Sequence, residues 1–182
     1  MLTAKQILEK GIVNMSDNYP EFELAPAQIG IDLHMVKCDK LVGCGRVFAD
    51  KKGEDGKFHS VKTVLGKTEP VKLIDGFWVL EPGVYEIGFT EGCKFDAQTC
   101  GIITHRSSVY RNSGEINSPW FDPGFETKEM GSFLYVKSAI AIEYGARVAQ
   151  MAVYTTEERA EMYDGQWQRT TVQSDGTNHE VN

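Results

Sequence analysis

Apolar positions in this chain come in short runs cut by Gly, Pro, Asn and Asp, and only the N-terminal segment carries a helical spacing. There, Thr3-Ala4-Lys5-Gln6 has the order of a capping box, and Ile7, Leu8 and Ile12 follow at helical intervals. The pattern predicts one short helix that stops near Gly11. Beyond it the runs at 29–35, 76–80, 84–89, 101–104, 133–136, 139–143 and 147–154 read as strands. Turn signals recurring every 8–12 residues or so predict an all-β fold, a sandwich or a barrel. Residues 50–57 (DKKGEDGK) read as an exposed loop or hairpin tip, and residues 155–163 (TTEERAEMY) as a single helical turn. From Gln166 onward the chain is polar and lacks a core face, which predicts a mobile arm.

Composition narrows the class. At 182 residues the chain is expected to form one domain, residues 1–168 with a C-terminal arm, followed by a flexible tail over 169–182. Lys and Arg number 19 against 26 Asp and Glu, a net charge of -7, so no basic face is expected for nucleic acid. No apolar stretch approaches the roughly 18 residues a membrane span needs. The opening MLTAKQILEKG lacks a secretory apolar core, so a cytoplasmic protein is expected. Cys38, Cys44, Cys93 and Cys100 are too widely spaced for a structural zinc site and read as reduced thiols.

Four clusters carry candidate chemistry. Gln28-Ile29-Gly30-Ile31-Asp32-Leu33 puts an acid inside an apolar run, where a buried carboxylate needs a partner. That partner is either backbone at a strand crossing or the site itself. His105-Arg106-Ser107-Ser108-Val109-Tyr110-Arg111 offers two hydroxyls, successive N–H groups and arginines, which suit phosphate oxygens, although a polar helix start has the same composition. Asn117-Ser118-Pro119-Trp120-Phe121-Asp122-Pro123-Gly124-Phe125 contains an Asp-Pro-Gly turn flanked by aromatics, a hairpin tip able to hold a ring. Gly145-Ala146-Arg147-Val148-Ala149-Gln150-Met151 is a turn glycine leading into a strand that bears Arg and Gln.

In this order the four clusters resemble the motifs of the trimeric dUTPase and dCTP deaminase superfamily, over about residues 25–168, and most closely its archaeal-type dUTPases. Further cues are Leu80-Glu81-Pro82-Gly83-Val84-Tyr85 and Tyr163-Asp164-Gly165-Gln166-Trp167-Gln168, which resembles that branch's Tyr-x-Gly-Lys-Tyr-Gln arm. The resemblance implies a distorted jelly-roll-like β-barrel and a homotrimer with sites at subunit interfaces. It implies a dUTP diphosphatase, a hydrolase of nucleotide metabolism and dUMP biosynthesis. Asp122 would activate water for attack on the α-phosphorus, and Mg²⁺ would arrive on the substrate phosphates. Arg106, Ser107, Ser108 and Arg111 would grip phosphates. Gln150 would line the phosphate end or hold the hairpin, and the arm residues Gln166, Trp167 and Gln168 would close over bound nucleotide. Asn117, Ser118, Trp120, Gly124 and Phe125 would hold base and sugar, and Asp32 would support the site. The glycine-rich C-terminal motif of ordinary dUTPases is absent, the arm's usual Lys is Gln166, and the hairpin's usual Tyr is Phe125.

The same superfamily deaminates dCTP with a Glu on the strand after the hairpin. Here that strand, Ser132-Phe133-Leu134-Tyr135-Val136, has none, while Glu129 lies in the preceding loop at 126–130 and Glu143 on the next strand. The reading is therefore hydrolase, with dCTP deaminase or a bifunctional enzyme as the alternative and a non-catalytic nucleotide-binding regulator as a second.

Overall fold

A computed structural model of the chain describes residues 1–165, 168, 170–172 and 178–180. In chain order the elements are α1 (Ala4–Glu9), β1 (Val13–Met15), β2 (Ala25–Pro26), β3 (Ile31–Leu41), β4 (Lys51–Lys52), β5 (Phe58–His59), β6 (Thr68–Pro70) and β7 (Phe77–Leu80). They continue with β8 (Gly83–Phe89), β9 (Glu91–Lys94), β10 (Thr99–His105), α2 (Ser107–Arg111), β11 (Gly114–Asn117), β12 (Glu126–Thr127) and β13 (Gly131–Val136). Last come β14 (Ile140–Glu143), β15 (Arg147–Thr155), β16 (Thr170–Val172) and β17 (Asn178–Glu180), the final two paired with each other.

The main sheet runs β15-β10-β11-β13-β8-β3, and β3 pairs back onto β15, so six antiparallel strands close a barrel. Closure removes the free edges that would otherwise invite pairing with other chains. Alternate residues of each strand fill the interior: Leu33, Met35, Ile87, Phe89, Ile103, Ile116, Leu134, Met151 and Val153 are all buried. The opposite alternation, including Lys37, Glu86, Phe133 and Tyr135, faces outward. A small second sheet, β1-β9-β12, packs beside the barrel, and β7 pairs with β14.

The N-terminal helix forms as its pattern predicts, with Thr3 and Gln6 completing a reciprocal capping box. Residues 50–57 form β4 and the hairpin tip that turns into β5. The predicted helical turn at 155–163 does not form. Thr155 ends β15, and Thr156 and Ala160 donate N–H to the Gln98 and Ala97 carbonyls, tertiary bonds that dock the segment with bends at Glu157 and Glu158 in place of a helical turn. A second helix, α2, forms instead at Ser107–Arg111, directly after Arg106. No helix among the described residues is long and apolar enough to cross a membrane.

Candidate active site

Three of the four clusters meet at one strand crossing. β3 and β15 pair so that Gln150 lies opposite Asp32, and Gln150 Nε2 donates to Asp32 Oδ1 at 3.3 Å. Arg106 Nε lies 3.1 Å from Asp32 Oδ2, and Arg147 Nη1 lies 3.5 Å from the same oxygen. The Arg106 N–H donates to the Val148 carbonyl at 2.9 Å, which continues the β10–β15 ladder one step past the His105–Ala149 pair. Asp32 is itself buried, and charge pairing with side-chain hydrogen bonds is what makes a carboxylate tolerable there. Gly30 enters this crossing at a φ of +88°, and a Cβ on it would strike the Met151 carbonyl oxygen. Ser107, Ser108 and Arg111 stand exposed on α2, and Tyr110 stacks on His105 at 5.2 Å between ring centroids.

The third cluster lies apart, on the connection from β11 to β12. Phe121 exchanges two backbone hydrogen bonds with Gly101 of β10, and the Ser118 hydroxyl accepts the Ile103 N–H at 2.8 Å. Asp122-Pro123-Gly124-Phe125 then closes a tight turn, with the Phe125 N–H donating to the Asp122 carbonyl at 3.0 Å. Pro123 presets the second position, and Gly124, at a φ of +84°, supplies the third. Asp122 thus stands exposed at the tip, with no hydrogen bond or ion pair to its carboxylate among the described residues. Phe121, Phe125 and Tyr163 form an edge-to-face series, with centroids 5.3 and 5.6 Å apart. Trp120 is exposed and meets Tyr154 edge-on.

A cavity of about 460 Å³ opens beside this hairpin, within the size range of small-molecule sites. Asn117, Pro119, Trp120, Phe121, Asp122 and Phe125 line one side, and Tyr163 contributes from the arm. Leu65, Gly66, Lys37, Glu86, Gly88 and Phe133 line the other. Arg106, Ser107, Ser108, Arg111 and Gln150 do not line it. Ser118 and Gly124 build the hairpin without reaching the cavity wall.

The described part of the arm lies along the hairpin of its own chain. The Tyr163 N–H donates to the Pro123 carbonyl, while Gln168 accepts the Glu126 N–H at 3.1 Å and donates Nε2–H to the Gly124 carbonyl at 2.8 Å. Gln166 and Trp167, expected to close over nucleotide, lie outside the described residues, as does most of the 169–182 tail.

The strand after the hairpin turns Phe133 and Tyr135 outward and buries Ser132, Leu134 and Val136. Glu129 reaches the cavity wall, but its carboxylate accepts from Asn18 Nδ2 at 2.6 Å and Ser16 Oγ at 3.1 Å. Glu143 sits on β14, away from the cavity. Among the described residues no three His, Cys, Asp or Glu side chains converge on a metal position. The four cysteines are free thiols, and burial pushes the Cys38 thiol up to about 12. Sequence reasoning missed Arg147, Tyr163, Lys37 and Glu86. Arg147 and Tyr163 lay inside recognised motifs, whereas Lys37 and Glu86 join the site only through strand pairing.

A family model described as dCTP deaminase-like matches residues 2–156. The chain belongs to the dCTP deaminase-like family. A probable deoxyuridine 5′-triphosphate nucleotidohydrolase of Halobacterium salinarum is 32% identical over 114 residues, 63% of this chain and 68% of that protein. A protein of the same name from Methanosarcina acetivorans is 22% identical over 158 residues, 85% of this chain and 87% of that one. Among solved structures, the 2′-deoxycytidine 5′-triphosphate deaminase of Agrobacterium tumefaciens superposes with a TM-score of 0.54 at 14% identity. That alignment covers 84% of this chain and 46% of the deaminase, so the chain spans about half the length of that protein and shares its fold. The chain is thus a nucleotide-metabolising enzyme of the dUTPase and dCTP deaminase type.

Proposed function

We propose that the enzyme is a dUTP diphosphatase that releases dUMP and pyrophosphate. The observation that carries this reading is the pairing of an exposed carboxylate, Asp122, without a partner among the described residues, at the hairpin tip with a following strand that offers no acid to the cavity. Hydrolysis needs one carboxylate to orient water and take its proton as the water attacks the α-phosphorus. Deamination needs a carboxyl that moves protons at the base, and the nearby Glu129 already accepts hydrogen bonds from Ser16 and Asn18. Backbone groups from Asn117 to Asp122 would read the uracil edge, and Phe125 would pack on the deoxyribose and leave no room for a 2′-hydroxyl.

The phosphate groups come from elsewhere in this reading. Arg106, Ser107, Ser108, Arg111 and Gln150 lie off the cavity of their own chain, which supports a homotrimer in which one subunit supplies the hairpin and its neighbour the phosphate grip. A magnesium ion fits such a site, because Mg²⁺ keeps waters and takes phosphate oxygens plus one or two carboxylates instead of a protein cage. The ion would be carried by the substrate phosphates and its own waters, leaving the Asp122 carboxylate to orient the attacking water, and it would neutralise charge on the leaving pyrophosphate. The arm residues Gln166, Trp167 and Gln168 would exclude water above the nucleotide.

The test is product analysis with dUTP and dCTP side by side, with and without Mg²⁺. Pyrophosphate and dUMP from dUTP, without ammonia from dCTP, are expected. Ammonia from dCTP, lost on Glu129→Gln, would make the enzyme a deaminase or a bifunctional one.

A further inference from the structure

α2 is a five-residue helix, too short to hold its shape alone. It carries Ser107, Ser108 and Arg111, which are assigned above to the substrate phosphates, so whatever fixes α2 fixes that grip. Two of its tethers are structural. Arg106 at its start is bound to Asp32. Val109 is buried in the core, where a Cβ on Gly114 would come within 2.8 Å of Val109 Cγ1. The third tether is aromatic. Tyr110 lies nearly flat on His105, with ring centroids 5.2 Å apart and planes 15° from parallel. Tyr110 is more than half exposed and lies outside the core cluster, and this stack ties it to the barrel.

His105 ends β10, in the alternation of the buried Gly101 and Ile103, and is half-buried. Its Nδ1 lies 3.4 Å from the Ile116 carbonyl oxygen of β11. A carbonyl only accepts, so Nδ1 carries a proton, and Nε2 is the nitrogen that gains or loses the second one. One ring therefore touches β11 and α2 and directly precedes Arg106 in the chain. Charged and titratable groups face it from several elements. Glu115 of β11 is the acid, with its carboxylate paired to Lys137 Nζ at 2.6 Å. Tyr110 faces it from α2, Arg106 and Arg111 flank it along the chain, and its partner on β15 is the uncharged Ala149. Because Lys137 already holds Glu115, protonation of His105 leaves a positive charge to act on the Tyr110 ring and on the phosphates beside α2.

We infer that His105 is a positioning residue for the phosphate grip: its ring, through Tyr110, sets where Ser107, Ser108 and Arg111 stand, and its protonated form holds the phosphates more tightly. This rests on the reading above in which α2 meets the phosphates of a nucleotide. Nothing in the hydrolysis step itself uses His105 or Tyr110.

Two measurements test it. The first follows the His105 ring signals of the wild-type protein by NMR, assigned through its backbone, across about pH 5–8.5. The protein is titrated free and with α,β-imido-dUTP bound. By linkage, a ligand held more tightly by the protonated protein raises the midpoint of that titration. One added charge in a solvated site changes affinity about two- to fivefold, so the midpoint should rise by about 0.3–0.7 pH units. The second measures KM for dUTP against pH, by pyrophosphate release with Mg²⁺ saturating, in the wild type, His105→Phe and Tyr110→Ala. His105→Phe keeps a flat ring on Tyr110 but cannot titrate. Its KM relative to wild type should be near one in alkali and rise about two- to fivefold in acid, the ionisation of the substrate cancelling in the ratio. Tyr110→Ala should raise KM about three- to tenfold, the worth of one aromatic pair, and lower kcat by less.

A midpoint that imido-dUTP does not move, in an enzyme that hydrolyses dUTP, overturns the inference and leaves the hydrolase reading intact. So does a Tyr110→Ala enzyme with unchanged KM, which would make the stack a feature of folding alone. If dUTP yields no pyrophosphate, the hydrolase reading falls. A His105 midpoint raised by α,β-imido-dCTP would then still support the positioning role, and an unmoved one would overturn it. The wild-type titration decides even if a variant does not fold.

Discussion

At the Asp32 crossing a buried carboxylate meets Arg106 at 3.1 Å, Arg147 at 3.5 Å and Gln150 at 3.3 Å. At the hairpin, the Asp122 carboxylate makes no hydrogen bond with a described residue and borders an open cavity. The first arrangement is already satisfied within the chain, so its charges fix where β3, β15 and the start of α2 sit. The second holds charge that the fold leaves unmet, and a ligand or water must meet it. A carboxylate inside an apolar run therefore marks architecture here, and a carboxylate at an exposed turn marks chemistry. Arg106 belongs to both regions: its Nε is committed to Asp32 and one Nη donates to the Arg147 carbonyl, while about a third of its side chain faces solvent.

The sharpest way to break the contrast is Asp122→Asn. The amide keeps the shape of the turn, whose closing bond uses the Asp122 backbone carbonyl and not its side chain. Folding and nucleotide binding should therefore survive, while kcat for dUTP should fall about 10²–10⁴-fold, as loss of a general base does. A variant with more than a tenth of wild-type kcat would remove Asp122 from the role.

Arg106→Ala probes the residue that bridges the two regions. If its free face grips phosphates, KM should rise for dUTP more than for dUMP, by roughly tenfold or more. Because Asp32 loses its 3.1 Å partner, the melting temperature should also drop. A lower melting temperature with equal effects on the two nucleotides would confine Arg106 to the crossing.

How far the sequence carried this contrast depends on the range of each interaction. The turn at Asp122-Pro123-Gly124 was legible because its chemistry is local: Pro and Gly set the backbone whatever surrounds them. Asp32 was legible as a residue in need of partners, but Arg106, Arg147 and Gln150 reach it only through the β3–β15 pairing and the turn into α2. β9 (EGCK) and β11 (GEIN) carry too little alternation to be read as strands, and β3 runs on through Lys37 and Asp39, which look like a loop in sequence. The helical turn expected at 155–163 lost to tertiary hydrogen bonds that Thr156 and Ala160 donate to the Gln98 and Ala97 carbonyls. Glu86 was invisible as a site residue because its position opposite Phe133 is a matter of register between distant strands.

A smaller effect is expected from Gln168→Ala. Its carboxamide bridges the Gly124 carbonyl and the Glu126 N–H, on either side of Phe125. Each such bond is worth about 0.5–1.5 kcal/mol net, so kcat/KM for dUTP should fall a fewfold as the hairpin loosens. The Glu126 amide, deprived of its acceptor, should exchange its hydrogen faster. Unchanged exchange would mean that the arm does not hold the hairpin in solution.

The mildest effect separates Glu86 from Asp32 by pH. Glu86 has its pKa raised above the ordinary 4.5, first by burial and then by Asp39, with Lys37 pulling the other way. A carboxyl whose pKa is higher in the folded than in the unfolded protein favours folding most when protonated. Its contribution is therefore fully present below the unfolded value and is lost as pH rises through the folded one. Glu86→Gln removes that loss, because the amide stays neutral throughout. The variant should melt close to wild type in acid and progressively above it as pH rises toward neutrality. The group is partly solvated, so the gain should be modest. A difference in melting temperature that does not change with pH would mean that Glu86 titrates as an ordinary surface acid, and the cavity would lose the feature that distinguishes its β8 wall from the satisfied crossing at Asp32.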